Sequence, residues 1–382
     1  MEHKMSYYCE CEQCRNQEFN PEEYIIKEKD FKILDEYRPL GISGHLRVKD
    51  EAMSVAECID SCIDALDELI ITYNKSSDST EDILKEYAAK YPDKIRLYYY
   101  RPNIIKYHKN EYITKYSLIH YLPNYYNFGY LKIKYKYYMK IDADQIYFKD
   151  KLLEIREAIL SDINCSETIN KLLKIDKISW YIPIKKLRNN FRTYYIKKLF
   201  NIKNKDYKFN GVEELLNLKD FIIYSKIKNE YNYCLLLGGF DLVLNNNSFY
   251  LNTLNVYNGC VGDSFIFLPS KIYKYKIYED LGVEIINIPP SNYISGFVWV
   301  HLGSVKRKHN VNSEIEFSTI VKITSEDILK YIDEKDYIKK DFTIKYFDND
   351  KKYLTQEFYD KFLKKPLKYS MEHYNDNIKR LL

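Results

Sequence analysis

Residues 68–73, ELIITY, lack the polar alternation of a half-exposed strand. A run of this kind suits a strand covered on both faces, and such strands belong to parallel sheets packed between helices. The flanking sequence has the matching rhythm. Ile42 to Val48 (ISGHLRV) reads as a strand, and Glu51 to Leu66 then places Val55, Ile59, Cys62, Ile63 and Leu66 on one helical face. After the polar turn NKSSDS, Ser79 with Asp82 resembles a capping box, and Ile83, Leu84, Tyr87, Ala88 and Tyr91 line the next helix. Pro92-Asp93 stops that helix before a third strand, Lys94 to Tyr99. Residues 100–130 read as a polar and aromatic connection, part helical and interrupted at Pro123. Lys134 to Ile141 is a fourth strand ending on Asp142, and a helix follows from Asp150 to about residue 160.

The predicted class is therefore α/β, with a mostly parallel central sheet flanked by helices. In such sheets ligands collect at the carboxyl ends of the strands. Three polar clusters fall there: residues 47–51 (RVKDE), 73–78 (YNKSSD) and 142–144 (DAD). Neither a G-x-G-x-x-G nor a G-x-x-x-x-G-K-[ST] motif occurs, so no dinucleotide fingerprint or P-loop is indicated.

Composition narrows the function classes. Net charge is +4, from 59 basic and 55 acidic residues, too balanced for a dedicated nucleic-acid binder. With 41 tyrosines in a chain rich in Lys, Ile and Asn, compositional bias is strong and no single exposed Tyr carries weight. No apolar run reaches the roughly 18 residues of a membrane span, and the polar N-terminus does not read as a signal peptide, so the expected location is the cytoplasm. Cys58, Cys62, Cys165, Cys234 and Cys260 read as reduced core residues. Cys9, Cys11 and Cys14 are spaced C-x-C-x-x-C, which is either a disordered, reactive terminus or part of a zinc or iron site completed by a fourth ligand such as His3 or His45.

Asp142-x-Asp144 stands where an apolar strand leaves the core. Carboxylates at i and i+2 share one face of an extended segment and can converge on one cation. Few hard oxygen ligands suit Mg²⁺ or Mn²⁺, which retain water and accept phosphate oxygens. The same spacing at Asp348-Asn349-Asp350 lies in a polar tail and reads as a solvated turn.

The stretch from His45 to Ile95, followed by YYMKIDADQIYF, resembles the donor-binding half of GT-A glycosyltransferases. The particular resemblance is to the bacterial β-1,4-N-acetylgalactosaminyltransferases that extend lipooligosaccharide, over about residues 44–150. This implies a GT-A type nucleotide-diphospho-sugar transferase fold with a helical C-terminal extension. The divisions are an N-terminal extension (1–40), a nucleotide-sugar-binding half (41–150), an acceptor-binding half (151–310) and the extension (311–382). It also implies that Arg47, Lys49 and Glu51, with Asn74 and Asp78, face the nucleoside. Asp142 would meet the ribose and the metal, Asp144 and the late His301 the metal, which is Mn²⁺ or Mg²⁺. The implied partners are a UDP-sugar donor and an oligosaccharide or lipooligosaccharide acceptor, with no nucleic acid.

An inverting transfer needs a carboxylate base. Asp241 (in GGFD) and Asp263 (in GCVGDSF) stand in glycine-flanked apolar segments, where burial raises a carboxyl pKa. Asp263, read as opening an apolar helix, is preferred; either also suits a helix N-cap. Trp299 and Trp180 read as core. The basic stretch 183–208 is either a solvated helix face or a contact with an anionic membrane at its inner leaflet. Three other readings stay open: a different UDP-hexose donor in capsule or exopolysaccharide synthesis, a zinc- or nucleic-acid-binding module, and a glycan-binding protein without catalysis.

Overall fold

The structure is a computed structural model. It describes residues 9–105, 116–161, 166–209, 212, 215–229, 233–245, 248–252, 263–278, 283–289, 291–303, 305, 320–323, 350–353 and 355–372. Cys165, Cys260, His3, Asp348 and Asn349 lie outside the described residues.

The predicted alternation is present. Strand β1 (Ile42–Val48) leads to helix α2 (Val55–Cys62), β2 (Glu68–Tyr73), α3 (Thr80–Lys90) and β3 (Ile95–Tyr99). Then come α4 (Leu122–Tyr130), β4 (Tyr137–Asp142), β5 (Gln145–Tyr147) and α5 (Lys149–Leu160). A short helix α1 (Glu12–Arg15) precedes them, and Pro123 sits in the first turn of α4, where its missing N–H costs nothing. Helices α6 (Glu167–Ser179), α7 (Lys185–Leu199) and α8 (Leu218–Asn229) follow. The remaining strands are β6 (Tyr233–Asn245), β7 (Ser248–Asn252), β8 (Ser264–Phe267), β9 (Tyr275–Tyr278), β10 (Val283–Ile286), β11 (Ser291–His301) and β12 (Ile320–Ile323).

Strands β3, β2, β1 and β4 are neighbours in that order, and all pair in parallel. Beyond β4 the sheet is mixed. β8 runs antiparallel between β4 and β6, β6 pairs in parallel with β11, and β5 pairs antiparallel with β11. The period of two sorts each strand between two cores. Leu69 and Ile71 of β2, and Tyr137, Met139 and Ile141 of β4, join the larger core under α2, α3, α5 and α8. Ile70 and Tyr138 join a second, tyrosine-rich core built by residues 19–34, α4, Tyr273 and Tyr275. Cover on both faces is why these strands read as unbroken apolar runs.

Several expectations change. Ser79 makes no side-chain cap; Asp78 caps α3 instead. Ser264–Phe267 after Asp263 is a strand, not a helix, and Asp241 lies within β6, so neither aspartate is a helix N-cap. Trp299 is buried as expected, but Trp180 is exposed. Asp350, expected in a solvated turn, is buried: its carboxylate pairs with Lys151 Nζ at 2.5 Å and accepts the Phe297 N–H at 2.8 Å. The stretch expected to be a helical extension contains β12, and its described helical part runs through Gln356–Phe358, a π turn at Tyr359–Leu363 and α9 (Lys364–Glu372).

Candidate active site

The chain passes outward from β1 to β2 and β3, then returns across β1 to β4. The order therefore reverses between β1 and β4, and a crevice opens at their carboxyl ends. Arg47 and Asp142 are register partners there. A cleft of about 900 Å³ occupies this place.

The side chains that reach it follow from the strand period. On the face that carries Tyr138, the next residues of β4 are Lys140 and Asp142; on β1, His45 is followed by Arg47. His45 is buried, and burial holds its pKa down to about 3. The neutral ring bonds to Tyr138 Oη at 3.1 Å and Thr72 Oγ1 at 3.0 Å. Two residues further along, the same face becomes charged. Arg47 donates to Asp142 Oδ1, and Lys140 Nζ donates to Asp142 Oδ2 at 2.5 Å. Burial would raise the Asp142 pKa, but the two cations outweigh it and hold the group below the usual carboxylate range. The Arg47 guanidinium lies 3.6 Å from the centre of the Tyr126 ring, a cation–π contact roofed by α4.

Asp144 is placed differently. Its Oδ1 lies 3.3 Å from His301 Nε2, and its backbone carbonyl accepts the Leu302 N–H at 2.7 Å, so the ends of β4 and β11 are tied together. A Cβ at Gly303 would fall 2.7 Å from His301 Nε2 and 3.0 Å from Asp144 Oδ2. The missing side chain keeps that pair open. Asp263 also lines the cleft; its pKa is raised by burial, with Lys140 acting against the rise. The Asp263 backbone carbonyl accepts a hydrogen bond from Lys140.

The cleft thus gathers Arg47, Lys49, Glu51, Asn74, Asp142, Asp144, Asp263 and His301. Asn74 Nδ2 donates to the carbonyls of Tyr100 and Pro102 at 2.7 and 3.1 Å, bracing the loop after β3. Asp78 is not among the lining residues; its carboxylate accepts the N–H groups of Thr80 and Ala52 at 3.0 and 3.1 Å. Asp241 is known here by its backbone, which pairs in register with His301. Lys140, Tyr125 and Tyr126 line the cleft without having been expected there. A lysine two residues ahead of Asp142 in an apolar strand was a readable signal for the first; the tyrosines were lost in the tyrosine-rich background.

Asp144 and His301 fit a divalent cation: one hard oxygen and one imidazole side by side, in a niche that a larger residue at position 303 would fill. Asp142 turns one oxygen to Arg47 and the other to Lys140, and each oxygen keeps a further lone pair for a ligand.

This segment is similar to a glycosyltransferase family. Residues 22–158, about a third of the chain, match the model of the family described as Beta-1,4-N-acetylgalactosaminyltransferase (CgtA). The match starts earlier than the resemblance read from the sequence, taking in the segment that builds the tyrosine-rich core. No curated protein matches the chain. Among solved structures, glucosyl-3-phosphoglycerate synthase from Mycobacterium tuberculosis with Mn²⁺, uridine diphosphate and glucosyl-3-phosphoglycerate is 17% identical, with a TM-score of 0.20. That match covers 32% of this chain and 39% of the synthase, so the chain spans about two fifths of its length. The complex with Mn²⁺, uridine diphosphate and phosphoglyceric acid gives 17% identity over 31% and 38%, again with a TM-score of 0.20. S. aureus TarS is 10% identical over 62% of this chain and 61% of its own, with a TM-score of 0.21.

Proposed function

We propose that the chain transfers N-acetylgalactosamine from its UDP-sugar to a cell-surface glycan such as lipooligosaccharide, with inversion and with a divalent cation. The observation that carries this is the juxtaposition of Asp144 and His301 with Arg47, Lys140 and Asp142 in a cleft at the sheet's crossover point. Asp144 and His301 would hold Mn²⁺ or Mg²⁺, which neutralises charge on a departing diphosphate. Arg47 and Lys140 fix Asp142 as a carboxylate, which suits it to accept a ribose hydroxyl. Lys49, Glu51 and Asn74 line the part of the cleft assigned to the nucleoside. Asp263 is the base: its raised pKa suits removal of the acceptor hydroxyl proton as that oxygen attacks the anomeric carbon. The choice of N-acetylgalactosamine is supported by the matched family.

A surface on α6 and α7 supports acceptor access at an anionic membrane. Trp180, Tyr181, Ile184 and Leu187 are each more than half exposed, beside Lys185, Lys186 and Arg188. Aromatic and apolar side chains next to cations suit the interface of an anionic leaflet. Among the described residues no helix is long and apolar enough to cross a membrane.

The test is UDP binding by calorimetry with and without Mn²⁺, for the native chain and Asp144→Ala. Metal-dependent affinity that the variant loses is expected. Equal affinity in all four measurements overturns the proposal, and preferred hydrolysis of UDP-glucose or UDP-galactose in a donor screen would replace the sugar alone.

A further inference from the structure

The described residues hold one other group of metal-ligating side chains, far from Asp144 in sequence and built by different elements. Cys9, Cys11 and Cys14 meet His120, and their four ligand atoms lie within 4.8 Å of one another. Among the described residues the fourth partner is His120 and not His45, which is committed to Tyr138 and Thr72; His3 lies outside the described residues. His120 comes from the turn before α4, more than a hundred residues away, so sequence spacing did not reveal it.

We propose that Cys9, Cys11, Cys14 and His120 form a structural zinc site that clamps the N-terminal segment to the wall of the cleft. Three observations point this way. First, the dimensions fit a single tetrahedral ion: with Zn–S near 2.3 Å, ligand atoms sit roughly 3.8 Å apart. His120 Nε2 is 3.1 Å from Cys11 Sγ and 3.3 Å from Cys14 Sγ, so only a small outward movement admits the ion. Second, the tautomer is set. His120 Nδ1 lies 2.7 Å from the Asn103 carbonyl, which can only accept, so Nδ1 carries the proton. The Nε2 lone pair therefore faces the thiols, and a backbone carbonyl behind the ring is the usual support of a metal-bound histidine. Third, the surroundings are arranged. Cys11 Sγ accepts the Cys14 N–H at 3.3 Å, closing the short helix α1. Gln13 bonds to the Asn103 N–H at 2.8 Å and to the Arg101 carbonyl at 3.3 Å.

Three thiolates and an imidazole favour zinc over Mg²⁺ or Mn²⁺. The clamp reaches the cleft through residues 100–105. That loop is held from its other side by Asn74, and Ile104 and Leu122 line the cleft on either side of His120 in sequence. An ion here would fix that wall without taking part in sugar transfer.

The experiment is metal analysis of the full chain purified without chelator. About one zinc ion per chain is expected, retained in Asp144→Ala and lost in Cys14→Ser. Retention by Asp144→Ala separates this site from the cation of the cleft. Should Cys14→Ser fail to fold, Co²⁺ exchange into the native chain decides: thiolate-to-cobalt charge transfer and tetrahedral visible bands are expected. Zinc-free protein that gives no such spectrum overturns the proposal. So does zinc kept at full occupancy by Cys14→Ser, or a disulfide between two of the three N-terminal cysteines.

Discussion

Four carboxylates at the cleft region differ because their surroundings differ. Asp142 is locked ionised by Arg47 and Lys140, Asp144 faces His301, Asp263 is half-buried with its pKa raised, and Asp78 is spent on backbone N–H groups. The raised Asp263 fixes the sign of a pH effect. A base works deprotonated, so turnover should climb as pH rises through the elevated Asp263 pKa and flatten above it. Asp263→Asn should lose that limb and cut kcat by about 10²–10⁴-fold while UDP still binds. Steady-state rates across the acidic range, paired with calorimetry, check this. A variant with native kcat would remove Asp263 from the role. The signals for these residues were partly legible: two acids at i and i+2, and a late histidine at a strand end. The chain's own Asp350 shows the limit, because the same spacing there serves a buried pair with Lys151.

Element packing gives predictions of a different kind. Helix α4 lies close against β1 and β2 because Gly129 has no side chain. A Cβ there would fall 2.0 Å from His45 Nε2 and 2.6 Å from Thr72 Cγ2. Gly129→Ala should therefore cost about 1–3 kcal/mol, read as a lower midpoint in urea unfolding. An unchanged midpoint would mean that α4 is free to shift outward. On α7, Arg188 lies 4.6 Å from the centre of the exposed Trp180 ring. Reversing Lys185, Lys186 and Arg188 to Glu should weaken binding to anionic vesicles by more than tenfold, since each cation near the surface contributes roughly 1 kcal/mol. Sedimentation with vesicles measures it, and undiminished binding of the triple variant would count against the membrane contact. Strand and helix identity in residues 42–160 was readable because both sheet faces are covered, which makes the apolar runs long and their ends abrupt. The strand after Asp263 was not, because the four residues SFIF are too few to carry a period that separates strand from helix.

Across the whole molecule, the C-terminal region is held to the sheet by one buried ion pair and an apolar helix face. Lys151 Nζ bonds to both Asp350 and the Phe297 carbonyl, while Phe358, Phe362, Leu363 and Leu367 enter the larger core. Asp350→Ala leaves the buried Lys151 without its partner, at a cost of about 3–5 kcal/mol. Thermal unfolding should shift down accordingly, and hydrogen exchange should show residues 356–372 losing protection. If Tm holds, the pair contributes little to that attachment.

By itself the sequence determined the local order of elements in residues 42–160 and the kind of chemistry their strand ends offer, since period and residue type act over a few positions. The pairing of Asp144 with His301, the capture of Asp142 by Arg47, and the meeting of His120 with three distant cysteines were decided by the tertiary structure. Each joins residues separated by tens to hundreds of positions, and only the sheet order and the packing of α4 and β11 upon it bring them within bonding distance.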